Sequence, residues 1–430
     1  MMREYVYRIE SFQPFEFEAM ERRLSRMARR GFQLDSIGSL FWKYRREAPR
    51  PTAYAVTYLP QCSPFDPQDD PETEALRELC AEAGWEKACD WGQLQIYRTD
   101  RERPVPFETD ESVRLAAIRR SMRRSFLLPN AVLLLLVLFE LGWLFFSGSA
   151  EPLALLSNAA AMLVFALLPV VLLLLLLHFA AYAVWLRRSL RSVARGGRCA
   201  SSGFCRRADT VFLVLVLAAA ASFAVFSAAS GQGGAASYAL LYFLCFLGMV
   251  AALNSLRRRL SREGFSRGGN RTLVIAADVA MAIALAVVMV FASGLLSDGP
   301  QAPPAVDAGT LEHAPSGAWD AFTTKSASPV LSHVRVRQYE TGGDEILFCD
   351  VYDARLPGLS GWCANQLLAE WEEPYRTENA APLSADAAYH VSFPTGREGW
   401  ILADGSRTVR VTASFPLTEA DLARLFAGAA

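Results

Sequence analysis

The sequence predicts a multi-domain membrane protein with a cytoplasmic α+β domain (two β-α-β-β units), a five-helix transmembrane region and an extracytoplasmic α+β domain. Three observations predict it. Apolar runs of membrane-crossing length crowd residues 126–296 of the 430-residue chain, arginine clusters fall only in alternate loops between those runs, and residues 1–100 write one Gly-aromatic phrase twice. Hydrophobic residues make up 52% of the chain and the mean hydropathy is positive, which excludes an ordinary soluble globule. The formal net charge of −1 says little, because the charges are segregated along the chain.

A membrane span needs about 20 apolar residues to cross about 30 Å of hydrocarbon. Five segments qualify: 126–146, 163–186, 210–229, 237–256 and 272–296. The stretch 153–162 reads as an interfacial or tilted extension ahead of the second, with Pro169 as a kink site. Arg119, Arg120, Arg123 and Arg124 precede the first span. Arg187, Arg188, Arg191, Arg195, Arg198, Arg206 and Arg207 separate the second from the third, and Arg257, Arg258, Arg259, Arg262, Arg267 and Arg271 the fourth from the fifth. The alternate loops "SGSAEP" and "SGQGGAAS" carry no Lys or Arg, so the positive-inside rule places the N-terminus in the cytoplasm and the C-terminus outside. Met1–Arg30 is charged throughout and lacks the apolar core of a signal peptide, consistent with that placement. The arginine loops imply contact with membrane lipid. They lack the interleaved aromatics of a base-stacking platform, so no nucleic-acid partner is expected.

Ionisable groups inside spans are costly and functional candidates by default. Glu140, His178 and Asp278 form the candidate intramembrane polar site. At 1.5 Å per residue, His178 lies roughly 13 Å from the Arg187 boundary and Asp278 roughly 10 Å from Arg271, so these two can meet at similar depth. Glu140 sits nearer the opposite end of its span.

In the first β-α-β-β unit, "EYVYRIE" (4–10) alternates like a strand, and Phe17, Met20, Leu24, Met27 and Ala28 recur at the spacing of one helix face. Gly31 and Phe32 follow as a left-handed helix stop with its hydrophobic contact; strands at 32–37 and 40–46 complete the unit. The second unit repeats the plan: strand 52–60, a helix near 71–83, the stop Gly84–Trp85, and strands near 85–90 and 93–98. Neither unit alone buries enough surface, so packing together into a sheet of about six strands explains the repetition without a ligand. Trp42 and Trp91, beside Gly38 and Gly92, are the candidate ligand contacts on the open sheet face.

A helix ending "MARRGFQL", then "FWKYRRE", "YAVTYLP" and "EAGWEKACDWGQLQIYR", followed by Arg-led apolar spans, resembles the DUF2812 family, a domain of unknown function in bacterial membrane proteins. The resemblance covers residues 1–100 and implies a cytoplasmic α+β module anchored by several helices, with a PadR-type regulator as a possible genetic neighbour. It supplies no catalytic residues.

Residues 101–125 form a linker and juxtamembrane helix, 297–310 a Pro/Ala/Gly tether and 311–430 the extracytoplasmic α+β domain. There, 330–340 and 345–354 read as strands, 359–371 as a helix, "ADGS" (403–406) as a hairpin turn, and Thr418 with Asp421 as a variant capping box. Outside the cell Cys349 and Cys363 are candidates for a disulfide. Cys199 and Cys205 lack the paired spacing of a zinc site, no Gly-rich loop cradles phosphate, and no nucleophile-elbow or zincin pattern occurs. No cofactor or enzymatic activity is therefore expected. Two domains joined by five helices point to a sensor, regulatory or interaction protein, and the three intramembrane groups to the alternative of a transport component or accessory subunit.

Overall fold

The computed structural model describes all residues except 1–3, 39–40, 63–70, 102, 108–109, 231–239, 243, 246–247, 250, 254, 257–258, 261–265, 298–305, 372–375, 379–384 and 429–430. The chain is mixed α+β, with several sheets and four helical segments long and apolar enough to cross a membrane: Glu111–Ala150, Ala159–Val193, Phe204–Ala229 and Gly268–Val288. Their apolar side chains are largely exposed, the reverse of a soluble core and the arrangement that lipid requires. Of the expected span at 237–256, several residues lie outside the described set; the described ones are helical. Two compact units divide the chain, one of Met1–Glu140, Leu168–Ala218 and Leu241–Met289, the other of Leu141–Leu167, Ala219–Leu240 and Val290–Ala430.

In the first unit, β1 (Tyr5–Ile9), α1 (Phe17–Ala28), β2 (Phe32–Ser36) and β3 (Phe41–Arg46) are followed by β4 (Ala53–Tyr58), α2 (Pro71–Glu82), β5 (Glu86–Trp91) and β6 (Leu94–Thr99). They make two antiparallel sheets with orders β1-β3-β2 and β4-β6-β5, rather than one sheet of six strands. β2 carries a register break at Leu34/Ser36 against β3 and β5 one at Lys87/Cys89 against β6, irregularities typical of sheet edges. Side chains link β2 to β4. Tyr54 Oη donates to Gln33 Oε1 at 2.6 Å, and Gln33 Nε2 donates to Thr52 Oγ1 at 3.0 Å.

Helix α1 buries Phe17, Met20, Leu24, Met27 and Ala28. Its stop is Gly31 at φ 79°, and α2 is followed by Gly84 at φ 86°, conformations that β-carbon-bearing residues resist. A Cβ at Gly31 would also lie 2.7 Å from the Glu47 carbonyl oxygen.

Asp110 caps α3 (Glu111–Met122) by accepting from Ser112 N and Val113 N. A π-helical turn over Arg123–Leu127 leads into α4 (Leu128–Ala150). The stretch after it is a separate short helix, α5 (Pro152–Ser157), set off from α6 (Ala159–Val193) by Asn158, whose side chain accepts from Ala160 N and Ala161 N. The 35 residues of α6 span about 52 Å at 1.5 Å each, so roughly 20 Å projects beyond a hydrocarbon layer of about 30 Å. Helices α7 (Phe204–Ala229) and α8 (Arg267–Ser297) complete the described set of long helices.

The second unit contains a seven-stranded antiparallel sheet, order β10-β11-β12-β13-β9-β8-β7. Its elements are β7 (Trp319–Ala327), β8 (Leu331–Glu340), β9 (Ile346–Ala354), α9 (Leu359–Ala369), β10 (Arg376–Glu378), β11 (Ala387–Ser392), β12 (Glu398–Asp404), β13 (Arg407–Ala413) and α10 (Glu419–Gly428). β7 escapes sequence reading because, as an edge strand, it has no apolar stripe. One face packs Leu347, Cys349 and Val351 under Leu422 and Leu425 of α10. The other packs Tyr352 and Ala354 under Cys363 and Leu367 of α9, joined by Leu153 of α5; Ser328 Oγ donates to the Leu156 carbonyl. Cys349 and Cys363 are both free thiols. They pack in separate clusters on opposite faces of the sheet, which keeps the two candidate disulfide partners apart.

Candidate functional site

The connection between β1 and α1, residues 10–16, carries the densest set of buried charges in the first unit. Phe15, with 1% of its surface exposed, packs against Tyr182 and Trp185 of α6, with ring centroids 5.8 and 5.6 Å away. That contact seats the connection on the helix end and brings its polar residues to the start of α7.

Glu16 is fully buried. Its Oε1 accepts from the Cys205 backbone N–H at 2.9 Å and its Oε2 from Gln13 N at 3.3 Å. A helix begins with backbone donors that lack partners, and here a residue 189 positions away satisfies one of them. Burial raises the Glu16 carboxyl above its ordinary range and the Asp209 charge adds to this, against the lowering effect of the backbone donors.

Glu10 takes two guanidinium groups. Arg23 Nη2 lies 2.8 Å from Oε1, with Nε donating to the same oxygen at 2.9 Å. Arg206 Nη2 lies 2.9 Å from Oε2, off the hydrogen-bond direction, so that contact is electrostatic. Arg206 also lies over the Phe12 ring, 5.2 Å from its centroid.

Ser11 Oγ donates to Asp209 Oδ2 at 2.5 Å, and Asp209 Oδ1 lies 2.9 Å from His178 Nε2. His178 Nδ1 is 2.7 Å from the Leu174 carbonyl oxygen, which only accepts, so Nδ1 carries a proton. A serine, an aspartate and a histidine meet here, yet not as a nucleophilic triad. The hydroxyl donates to the carboxylate, whereas a triad needs the imidazole between the two.

The connection between α6 and α7 is held just as closely. Trp185 Nε1 donates to the Ala200 carbonyl at 2.7 Å, Ala200 N to Ser189 Oγ at 2.9 Å, and Cys199 N to Glu111 Oε2 at 2.9 Å. Arg124 Nη1 reaches the Pro60 carbonyl at 2.7 Å. Burial, with the Glu111 charge, pushes the Cys199 thiol up to about 12, which removes it as a nucleophile at neutral pH.

Of the residues singled out from sequence, His178 is buried in this seam, and its partner is Asp209 in place of Asp278. Glu140 and Asp278 are exposed and have no hydrogen-bond or ionic partner among the described residues. Trp42 is 5% exposed, in the core against Phe12, which closes it to a ligand; Trp91 is half-buried and packs on the same cluster. Sequence reading missed Glu10, Glu16 and Asp209, because nothing local distinguishes a carboxylate that pairs with residues nearly two hundred positions away.

It also missed Asp350 in the second unit, 2% exposed at the centre of β9. His333 Nε2, Arg337 Nη2 and Arg410 Nη2 each lie 3.0 Å from its carboxylate, and Arg335 Nε at 3.1 Å. Burial alone would raise its carboxyl; His333, Arg410 and Arg337 outweigh that and hold it far below the carboxylate range. The alternation of Arg335 and Arg337 was a visible signal, but their shared partner depended on strand register. Glu312, His313 and Asp421 cluster closely enough to hold a cation; Asp421, however, spends its carboxylate accepting from Thr418 N, Thr418 Oγ1 and Glu312 N.

Fold and seam together define a membrane-associated chain whose N-terminal α+β elements are fastened to helix ends by buried charge. No family model, curated protein or solved structure matches it.

Proposed function

We propose that the chain is a non-enzymatic sensor or regulatory membrane protein in which five membrane helices couple an extracytoplasmic C-terminal domain to a cytoplasmic N-terminal module. The observation that carries this reading is that each domain is bonded to helix ends and not merely tethered. Glu16 caps α7 and Glu10 pairs with Arg206 on one side, while Leu153 and Leu156 of α5 join the core of the C-terminal sheet on the other. Helices α4, α6, α7 and α8 each contribute residues to both compact units. The arginine bias of the loops supports the orientation, and a reporter fused after Ala430 that works only in the cytoplasm would refute it. The shared strand order of the two N-terminal sheets and their two glycine stops support a duplicated β-α-β-β module, as does the resemblance to the DUF2812 family.

The test is hydrogen exchange on the full chain in nanodiscs, with an antibody fragment clamping the C-terminal sheet. Coupling predicts altered exchange in residues 5–28 that Arg206→Ala abolishes. Identical exchange with and without the clamp overturns the proposal. The alternative, a transport component built on Glu140, His178 and Asp278, draws support from the 2.9 Å contact between His178 and Asp209, and predicts loss of proton-coupled flux in His178→Gln.

A further inference from the structure

Between α1 and the start of α7 lies a cavity of 210 Å³ lined by Phe12, Ala19, Gly203 and five arginines: Arg22, Arg23, Arg26, Arg206 and Arg207. A water occupies about 30 Å³ of liquid, so the space suits one phosphoryl group with part of its substituent. Its electrostatics are one-sided. Glu10 neutralises parts of Arg23 and Arg206, and Glu18 holds Arg22 at 3.1 Å. Arg26 and Arg207 have no hydrogen-bond or ionic partner among the described residues. Five forks thus face two carboxylates, and two forks face none.

The arginines come from two elements far apart in sequence, and Glu10 fixes one from each, Arg23 and Arg206. Guanidinium forks match phosphate oxygens two at a time. Gly203 immediately precedes α7, one of the four helices apolar enough to cross a membrane, and the cavity therefore lies at the level where phospholipid headgroups sit.

We propose that this cavity binds a phosphate-bearing anion, with the headgroup of an anionic phospholipid as its source. The identification of the lipid source rests on reading α7 as a membrane span; the phosphate chemistry does not. A lipid held here would contact both α1 and α7 and make the docking of the N-terminal module sensitive to membrane composition.

The test uses the purified full chain in neutral detergent, titrated separately with phosphatidic acid, phosphatidylcholine and inorganic phosphate. Binding is read by native mass spectrometry for the lipids and by isothermal calorimetry for phosphate. Phosphatidic acid is expected to bind in preference to phosphatidylcholine, and the double variant Arg26→Gln/Arg207→Gln to weaken it about thirtyfold, at roughly tenfold or less per arginine. Neither arginine holds a structural pair, so the variant should fold; Arg26→Lys/Arg207→Lys should recover part of the affinity. Binding of inorganic phosphate alone, with the same dependence on Arg26 and Arg207, supports the anion site and overturns its lipid source. Phosphatidic acid binding unchanged in the Gln variant, with no phosphate binding, overturns the proposal. Neither readout depends on whether the C-terminal domain signals to the N-terminal module.

Discussion

Replacing Arg206 by Ala tests whether buried charge fastens the N-terminal module to α7. Glu10 is 0% exposed at its side chain and Arg206 35%. Two unit charges about 4 Å apart attract by about 4 kcal/mol at an effective dielectric near 20. The exposure of Arg206 screens roughly half of that, leaving about 2 kcal/mol. Arg23 stays on the opposite oxygen of Glu10 at 2.8 Å, so the carboxylate keeps one partner and the module stays folded. The loss should fall on docking rather than on the fold. Hydrogen exchange at the first turn of α7 and across residues 10–16, measured in the full chain in nanodiscs, should accelerate about thirtyfold, while β4 and β6 stay protected. In a double-mutant cycle with Glu10→Gln, the two changes should be non-additive by about 1–2 kcal/mol. Strict additivity, or an equal acceleration in β4 and β6, would refute the idea that this ion pair holds the seam.

In the C-terminal sheet, Asp350→Ala strands Arg337 and Arg410 around a buried void and should cost about 3–5 kcal/mol, a fall of roughly 10–20 °C in the unfolding temperature of that domain by calorimetry. Because the folded carboxyl titrates far below its ordinary value of 3.8, its contribution is complete above about pH 4 and is lost as pH falls toward the folded value. The stability difference between wild type and Asp350→Asn should therefore be constant above about pH 4 and narrow progressively as pH falls below it. Cys349 and Cys363, whose thiols burial pushes up to about 12 and about 11, should resist alkylation in the folded chain and both be alkylated after unfolding without reductant, read by mass spectrometry. Gly31→Ala should destabilise the N-terminal module by about 1–3 kcal/mol, through its positive φ and the approach of the Glu47 carbonyl, measurable by chemical denaturation.

The sequence by itself determined the features whose cause is local. Length and hydropathy mark helices that can cross a membrane, because a helix satisfies its backbone polar groups within one segment in lipid. Gly31 and Gly84 mark the two helix stops, because few other residues accept a positive φ. Thr418 and Asp421 form the reciprocal cap over α10 for the same kind of reason, three residues apart on one turn. Tertiary structure alone decided which charges meet. His178 could be matched with Asp278 by depth along two helices, yet depth leaves the rotation of each helix open, and packing turned His178 toward Asp209. The parity of a strand hid the fate of Cys349: residues 347, 349 and 351 face α10, while α9 and Cys363 lie across the sheet. Packing also decided that the six strands pair as two sheets and not as the one expected. The seam itself joins residues 10–16 to residues 178–209, and such pairings follow from how elements pack, which no short stretch of sequence encodes.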